Sequence, residues 1–206
     1  MQSNKFTEKE LDVFTSKANV LKFLTKKIKL SKIELIYDFT LSDWKNDKQN
    51  ILKNISKYFS NTIVIRSSAI GEDSFQCSEA GTYESILNIN PNLKNSVKSG
   101  IQKVINSYNK KHNLNSQNQI LIQNQTKNIK ISGVVFSRSV DNGRPYYVIN
   151  FEEGGSTTGV TQGEINNTIK IYRNVKSSKI PKVWTNLIRS IKEIESILKS
   201  TSLDIE

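Results

Sequence analysis

The chain has 206 residues, 36% hydrophobic and 24% charged, which fits one domain or two small lobes and excludes collagen-like and wholly disordered classes. No apolar run approaches the roughly 20 residues of a membrane span, and the polar opening Met1 to Glu10 lacks the apolar core of a signal peptide, so a cytoplasmic protein off the membrane is expected. A net charge of +11 favours anionic partners, but the lysines are spread through every segment without a clustered patch or stacking aromatics, which ranks nucleic acid last among them. Cys77 is the single cysteine, so no internal disulfide forms. His112 is the single histidine; it sits in a polar stretch and cannot build a His-rich metal site or a Ser-His-Asp triad.

The first predicted element is a helix capped by Thr7, with Glu10 completing a capping box. Leu11, Phe14, Ala18, Leu21 and Leu24 or Phe23 fall near one face, and Lys17 lies off that stripe. Ile33 to Phe39 reads as a strand, and Asp43-Trp44 starts a second helix carrying Ile51, Ile55, Tyr58 and Phe59. Thr62 to Arg66 is the strongest strand, β-branched and ending in Arg-Ser-Ser. Ala69 to Thr82 is small and polar, a mobile loop with Gly71 and Gly81; Tyr83 to Ile89 is a strand, and Pro91-Asn92 opens a helix through Val97, Ile101, Val104, Ile105 and Tyr108. A polar linker, Lys110 to Gln119, marks the boundary between two lobes. Beyond it come short strands at Ile120 to Gln123, Gly133 to Ser137 and Tyr146 to Phe151, the last two joined at Asp141-Asn142-Gly143, a hairpin signal. Glu153 to Gly159 is a second flexible, glycine-rich segment, Thr168 to Arg173 a further strand, and Pro181 opens a long helix with Trp184, Leu187, Ile188, Ile191, Ile194 and Leu198 on its apolar side.

The pattern is therefore α+β in two lobes, residues 1–112 and 117–206, with two glycine-containing loops available to close over a ligand. Neither loop matches a P-loop, which needs a Lys-Ser/Thr pair after its last glycine, and no stretch matches Gly-x-Gly-x-x-Gly after a strand.

The string Ile63-Val64-Ile65-Arg66-Ser67-Ser68-Ala69-Ile70-Gly71-Glu72-Asp73, followed by Ser78-Glu79-Ala80-Gly81-Thr82-Tyr83-Glu84-Ser85, resembles the nucleotide-binding domain of phosphoenolpyruvate synthase and pyruvate phosphate dikinase. Leu121-Ile122-Gln123, Ile131 to Arg138 with Gly143, and the terminal Asp204-Ile205-Glu206 agree in the same order, so the resemblance spans the chain from about Ser16 onward. It implies a two-lobed ATP-grasp fold gripping MgATP, with this chain ending short of the full domain. It also implies a phosphoryl group passed from ATP to a histidine on a swivelling domain, then to a small acceptor such as pyruvate, a glucan, an antibiotic hydroxyl or the amide of glutamine. The histidine and acceptor domains would lie downstream of this chain. Glu79-Ala80-Gly81-Thr82-Tyr83 and Pro145 to Asn150 resemble the capsule-cluster branch that is similar to glutamine kinase.

The resemblance assigns residues. Arg66 contacts the nucleotide phosphates with Ser67 beside it, a role suited to a planar guanidinium fork. Lys17 matches an early phosphate lysine, although the usual Gly-Gly before it is Thr15-Ser16 here; one more solvated helical lysine is the plain alternative. Glu79, Ala80, Gly81 and Thr82 match the loop that folds over the phosphates, where a glycine lets backbone amides approach an anion. Lys103 stands where the family has an arginine stabilising the transferring group, without the fork. Gln123 lines the adenine pocket, or is a strand glutamine that needs partners in any case. Glu206 matches a magnesium-binding glutamate, and since magnesium takes one or two carboxylates plus phosphate oxygens, one such residue is chemically sensible. The family's Gly-Leu-Gly-Glu turn is replaced by Gly154-Gly155-Ser156-Thr157-Thr158, leaving Glu152 or Glu153 to stand in for its glutamate. The alternative to an ATP-dependent phosphotransferase fragment is a non-catalytic nucleotide-sensing module, motivated by that lost glutamate and by the lysine at 103.

Overall fold

The computed structural model describes residues 15–71, 73–74, 77–78, 84–110, 115–154 and 167–206. The chain forms two compact units, residues 1–26 with 33–126, and residues 27–32 with 127–206. Both are α+β, as the alternating pattern predicts.

In the first unit, helix α1 spans Lys17–Thr25 and is capped by Ser16, which is extended (φ −157°, ψ 157°) and accepts the Asn19 amide on its hydroxyl. The predicted cap at Thr7 and its partner Glu10 lie outside the described residues. Strand β1, Ile36–Thr40, runs into α2, Leu41–Asn46, and then α3, Lys48–Tyr58. One helix from Asp43 is expected; the structure has two, because Asp47 leaves helical geometry (φ −144°, ψ 60°) and caps α3 by accepting the Asn50 amide at 3.2 Å. Thr40 and Asp43 form a capping box at the start of α2. The Thr40 amide, then its hydroxyl, hold the Asp43 carboxyl below the usual carboxylate range. Tyr58 is exposed, whereas Phe59, one residue past the helix, is buried.

Strands β2, Ile63–Ser68, and β5, Ser85–Ile89, flank a short hairpin of β3, Asp73–Ser74, and β4, Cys77–Ser78; helix α4, Lys94–Lys110, and β6, Gln119–Asn124, follow. The main sheet has the order β1-β6-β2-β5, antiparallel throughout. The predicted strand at Ile120 to Gln123, expected to open the second lobe, is thus inserted between β1 and β2. Its sequence carries the reason: Ile120, Leu121 and Ile122 are all fully buried, and a run buried on both faces belongs inside a sheet. Tyr37, Phe39, Ile63, Ile65, Ile120 and Ile122 face α3 and α4, which contribute Ile51, Leu52, Ile55, Val97, Ile101 and Val104 to one core. Tyr108 ties the strand ends together: its hydroxyl accepts the Ser68 amide at 2.8 Å and donates to the Gln119 carbonyl at 2.7 Å.

The second unit is a four-stranded antiparallel sheet, order β10-β7-β8-β9, with β7 at Ile131–Phe136, β8 at Tyr146–Glu153, β9 at Asn167–Tyr172 and β10 at Asp204–Ile205. The β7–β8 connection turns at Gly143, whose φ of +63° suits the predicted Asp-Asn-Gly hairpin signal. Helix α5, Lys182–Leu198, begins after Pro181 and packs Trp184, Ile188 and Ile191 on Val135, Tyr147, Ile149 and Ile171. Residues 27–32 belong here because α5 holds them. The Glu193 carboxylate accepts the amides of Lys29 and Leu30 at 2.9 and 3.0 Å, and the Ser190 hydroxyl donates to the Leu30 carbonyl at 3.0 Å.

A buried ion pair pins the same helix. Arg173, just after β9, meets Glu195 of α5 with two contacts of 2.5 and 2.9 Å, donates to the Ser137 carbonyl at 2.8 Å, and stacks 4.6 Å above the Tyr147 ring. Burial, reinforced by the Glu195 carboxylate, pushes the Tyr147 hydroxyl up to about 12. The glycine-rich segment expected from Glu153 to Gly159 lies mostly outside the described residues.

Candidate functional site

Strand alternation decides which face of the first sheet can receive a ligand. Ile63, Ile65 and Ser67 point to the α3/α4 core, so Val64, Arg66 and Ser68 point the other way. The register pairs Arg66 with Leu121, Val64 with Gln123 and Ser68 with Gln119, so Arg66 and Gln123 are diagonal neighbours on that face. Asp38 of β1 pairs with Leu121 and joins them.

Helix α1 docks on this face through its first turn. The Ser68 hydroxyl, fully buried, accepts the Ala18 amide at 2.9 Å, and the Ser16 hydroxyl donates to the Gln119 side-chain oxygen. Gln119 also donates from its nitrogen to Asn19 at 3.3 Å and to Asp38 at 3.1 Å, and the Asp38 carboxylate accepts the Lys22 ammonium at 2.9 Å. Lys17 is the first residue of this helix, and Ser68 lies two residues, about 7 Å along the strand, beyond Arg66. The Gly71 amide donates to the Thr15 carbonyl at 2.9 Å, and the buried Asn118 side chain accepts the Ile70 amide at 3.0 Å, which fixes where the loop after β2 leaves. Among the described residues rooted at this face, Lys17, Lys22 and Arg66 outnumber Asp38, a balance suited to an anion.

The structure therefore roots Lys17, Arg66 and Gln123 on one face. Ser67, expected beside the phosphates, turns its side chain to the helix-covered face and is 5% exposed; Ser68 lies on the Arg66 face instead. Lys103 is exposed on α4, which covers the opposite side of the sheet from Arg66. Glu79, Ala80, Gly81 and Thr82 lie outside the described residues. The lysines, even along the chain, are not even in space. Exposed Lys48, Lys53 and Lys57 of α3 and Lys94, Lys98, Lys103 and Lys110 of α4 form a helical layer with no acidic residue on either helix.

In the second unit, the face of the sheet not covered by α5 carries Ser132, Val134, Asn150 and Glu152. Glu152 is 1% exposed and accepts the Ser132 hydroxyl at 3.1 Å, whereas Glu153 is exposed and alternates to the other side. Ile205 pairs with Val135 and packs with the α5 core, so alternation puts exposed Glu206 on the Glu152 face, two strands away. Sequence reasoning missed Ser68, Gln119 and Asp38; the available signal was polar residues spaced by two or four, Asp38 and Thr40, Arg66 and Ser68, Gln119 and Gln123, in largely apolar strands. Among the described residues no helix is long and apolar enough to cross a membrane, and no three His, Cys, Asp or Glu side chains converge on a metal position.

The family model for the pyruvate phosphate dikinase AMP/ATP-binding domain matches residues 42–193. No curated protein matches the chain. Among solved structures, ACD1 of Ca. Korarchaeum cryptofilum in complex with coenzyme A is similar at 13% identity over 90% of this chain and 76% of that one, with a TM-score of 0.42, a likeness too loose to carry functional weight.

Proposed function

The chain belongs to the family of pyruvate phosphate dikinase AMP/ATP-binding domains, and from that membership we propose that it binds MgATP and gives up a phosphoryl group to a histidine on a swivelling domain outside this chain. Membership itself makes it an ATP-binding module of a phosphotransferase family, on an ATP-grasp-like α+β fold. The histidine then passes the group to a small acceptor, the amide of glutamine or pyruvate; the Glu79 to Tyr83 and Pro145 to Asn150 strings, which resemble the capsule-cluster branch, point to the amide.

The observation that carries this reading is the convergence of Arg66, Gln123 and the first turn of α1 on one sheet face. Arg66 can engage two phosphate oxygens at once, Lys17 adds a point charge, and Gln123 offers an amide to the edge of the base. The resemblance assigns the Glu79 to Thr82 segment to the phosphates as well. Their combined effect is positioning and charge neutralisation, which is most of what phosphoryl transfer asks of a protein. Glu152 and Glu206 are hard oxygen donors on one face of the second sheet, a set that fits magnesium, which takes one or two carboxylates alongside phosphate oxygens. When bound, magnesium supplies neutralisation of the phosphate charge.

One observation favours a second reading, a nucleotide-sensing module without transfer: Lys103 stands away from the Arg66 face. Calorimetry of MgATP binding to the chain and to Arg66→Ala tests the proposal. Saturable one-site binding is expected, at least about tenfold weaker in the variant, since hydrogen bonds to a charged group are worth about 1.5–3 kcal/mol. Equal binding by both proteins refutes the placement of the nucleotide. Tight binding without phosphoryl transfer to a supplied family histidine domain selects the sensing module.

A further inference from the structure

We infer that Gln119, with Asp38 behind it, is the positioning residue that holds Lys17 at the phosphates, taking over what a Gly-Gly turn does where such a turn precedes the lysine. The inference rests on the nucleotide reading above and adds residues to it.

The geometry saturates the Gln119 amide. Its oxygen accepts the Ser16 hydroxyl, and its two N–H groups go to Asn19 at 3.3 Å and Asp38 at 3.1 Å. The amide cannot be turned over, because its oxygen would then face the Asp38 carboxylate. The Asp38 carboxylate pairs with the Lys22 ammonium at 2.9 Å, so the donor–acceptor sense of the whole chain of bonds is set from one end. At the other end, Ser16 accepts the Asn19 amide at 3.3 Å and Asn19 donates to the Thr15 hydroxyl at 3.0 Å. Ser16 bonds Gln119 and Ser68 takes the Ala18 amide, so the residues on both sides of Lys17 are tied to the sheet. Thr15 and Ser16 thus hold the turn with hydroxyl groups, and Gln119 ties one of them to the sheet. No bond in this set uses Lys17, which separates placing the lysine from being the lysine.

The test is a double-mutant cycle on MgATP affinity, with folding checked by thermal unfolding. Gln119→Glu keeps the acceptor for Ser16 but removes both donors and sets a carboxylate against Asp38. Affinity is expected to fall by about tenfold at pH 8. It should recover toward pH 5.5 relative to wild type, as the introduced carboxyl takes a proton and donates again. The double variant Asp38→Asn/Gln119→Glu reverses donor and acceptor and keeps the net charge, and it should restore affinity at pH 8. In a Lys17→Met background the Gln119→Glu loss should vanish, because there is no longer an ammonium to misplace. Additive losses in the cycle, or wild-type affinity in a folded Gln119→Glu protein, overturn the inference while leaving the nucleotide reading intact. Wild-type chain that does not bind MgATP overturns the reading and the inference together, whereas Lys17→Met that binds unchanged overturns the inference alone. If Gln119→Glu fails to fold, Gln119→Ala enters the same cycle with the same expected non-additivity.

Discussion

Replacing Glu195 by leucine should destabilise the second unit by about 3 kcal/mol, and adding Arg173→Met should give part of that back. The single change strands a guanidinium that is 14% exposed and loses both short contacts to the carboxylate. Removing one member of a buried pair typically costs about 3–5 kcal/mol, and the retained Ser137 carbonyl and Tyr147 ring put Arg173 at the lower end. With methionine at 173 there is no buried charge left. What remains is a Ser137 carbonyl without its donor and a Tyr147 hydroxyl without its acceptor at 3.4 Å, together about 1–2 kcal/mol. The expected order is therefore wild type, then the double variant, then Glu195→Leu. Urea unfolding in a Trp44→Phe background reads it cleanly, because Trp184, buried against Phe151 at 4.8 Å, then reports on the second unit alone. A double variant as unstable as Glu195→Leu, or a single variant within about 1 kcal/mol of wild type, would refute the claim that the uncompensated charge dominates.

Two glycines should respond oppositely to alanine. At Gly133 a Cβ would sit 2.2 Å from the Asn150 carbonyl oxygen and 3.0 Å from the Phe151 Cα, both backbone of the paired strand, so Gly133→Ala should cost about 2–3 kcal/mol or abolish soluble protein. At Gly100 it would meet the Ile65 Cδ1 at 2.7 Å, the rotatable end of a side chain, and about 1 kcal/mol of helix propensity offsets the crowding. Thermal melts of the two variants side by side check this, and a reversed order sinks it. Tyr147 predicts an alkaline limit: its hydroxyl is raised from 10.0 to about 12, so the associated stability is whole below pH 10 and gone once pH passes 12. That is at most about 2.7 kcal/mol, and Tyr147→Phe should lack it, so the stability gap between the two proteins must narrow from pH 9 to 12. A constant gap means the hydroxyl is not the group that titrates.

The long elements were legible because one apolar face sufficed to specify them. In α5, Trp184, Ile188 and Ile191 fall on one stripe, and so does position 195, where the stripe carries a glutamate instead of a hydrophobe. A charge on an apolar stripe is a readable anomaly; its partner, Arg173, is not, because nothing local links a residue after β9 to a helix 22 positions on. The break between α2 and α3 had a local cause, Asp47, whose side chain prefers to cap a new helix over continuing the old one. The assignment of Ile120 to Gln123 to the second lobe went astray for the opposite reason. The apolar run marks a strand, but the polar linker beside it says nothing of its neighbours, and full burial of three consecutive residues demands strands on both sides.

At the candidate site Lys17 and Arg66 were legible in the sequence as candidates, and what holds them was not. Arg66 sits in a β-branched strand whose alternation already assigns it a face, so Ser68 rather than Ser67 could have been named as its companion. Lys17 was the harder case, since Thr15-Ser16 in place of Gly-Gly is visible only as a departure. A glycine pair acts through its own backbone, and a search for it stays within two residues. Hydroxyl groups act through acceptors, and the acceptor here is Gln119, 103 positions away on the central strand, held in one orientation by Asp38 on the next. The lysine could thus be kept without the glycines only if strand β6 contributed an amide at its first position, a coupling that lives in the sheet register of Thr40 with Gln119 and Ser68 with Gln119 and in no local string of residues.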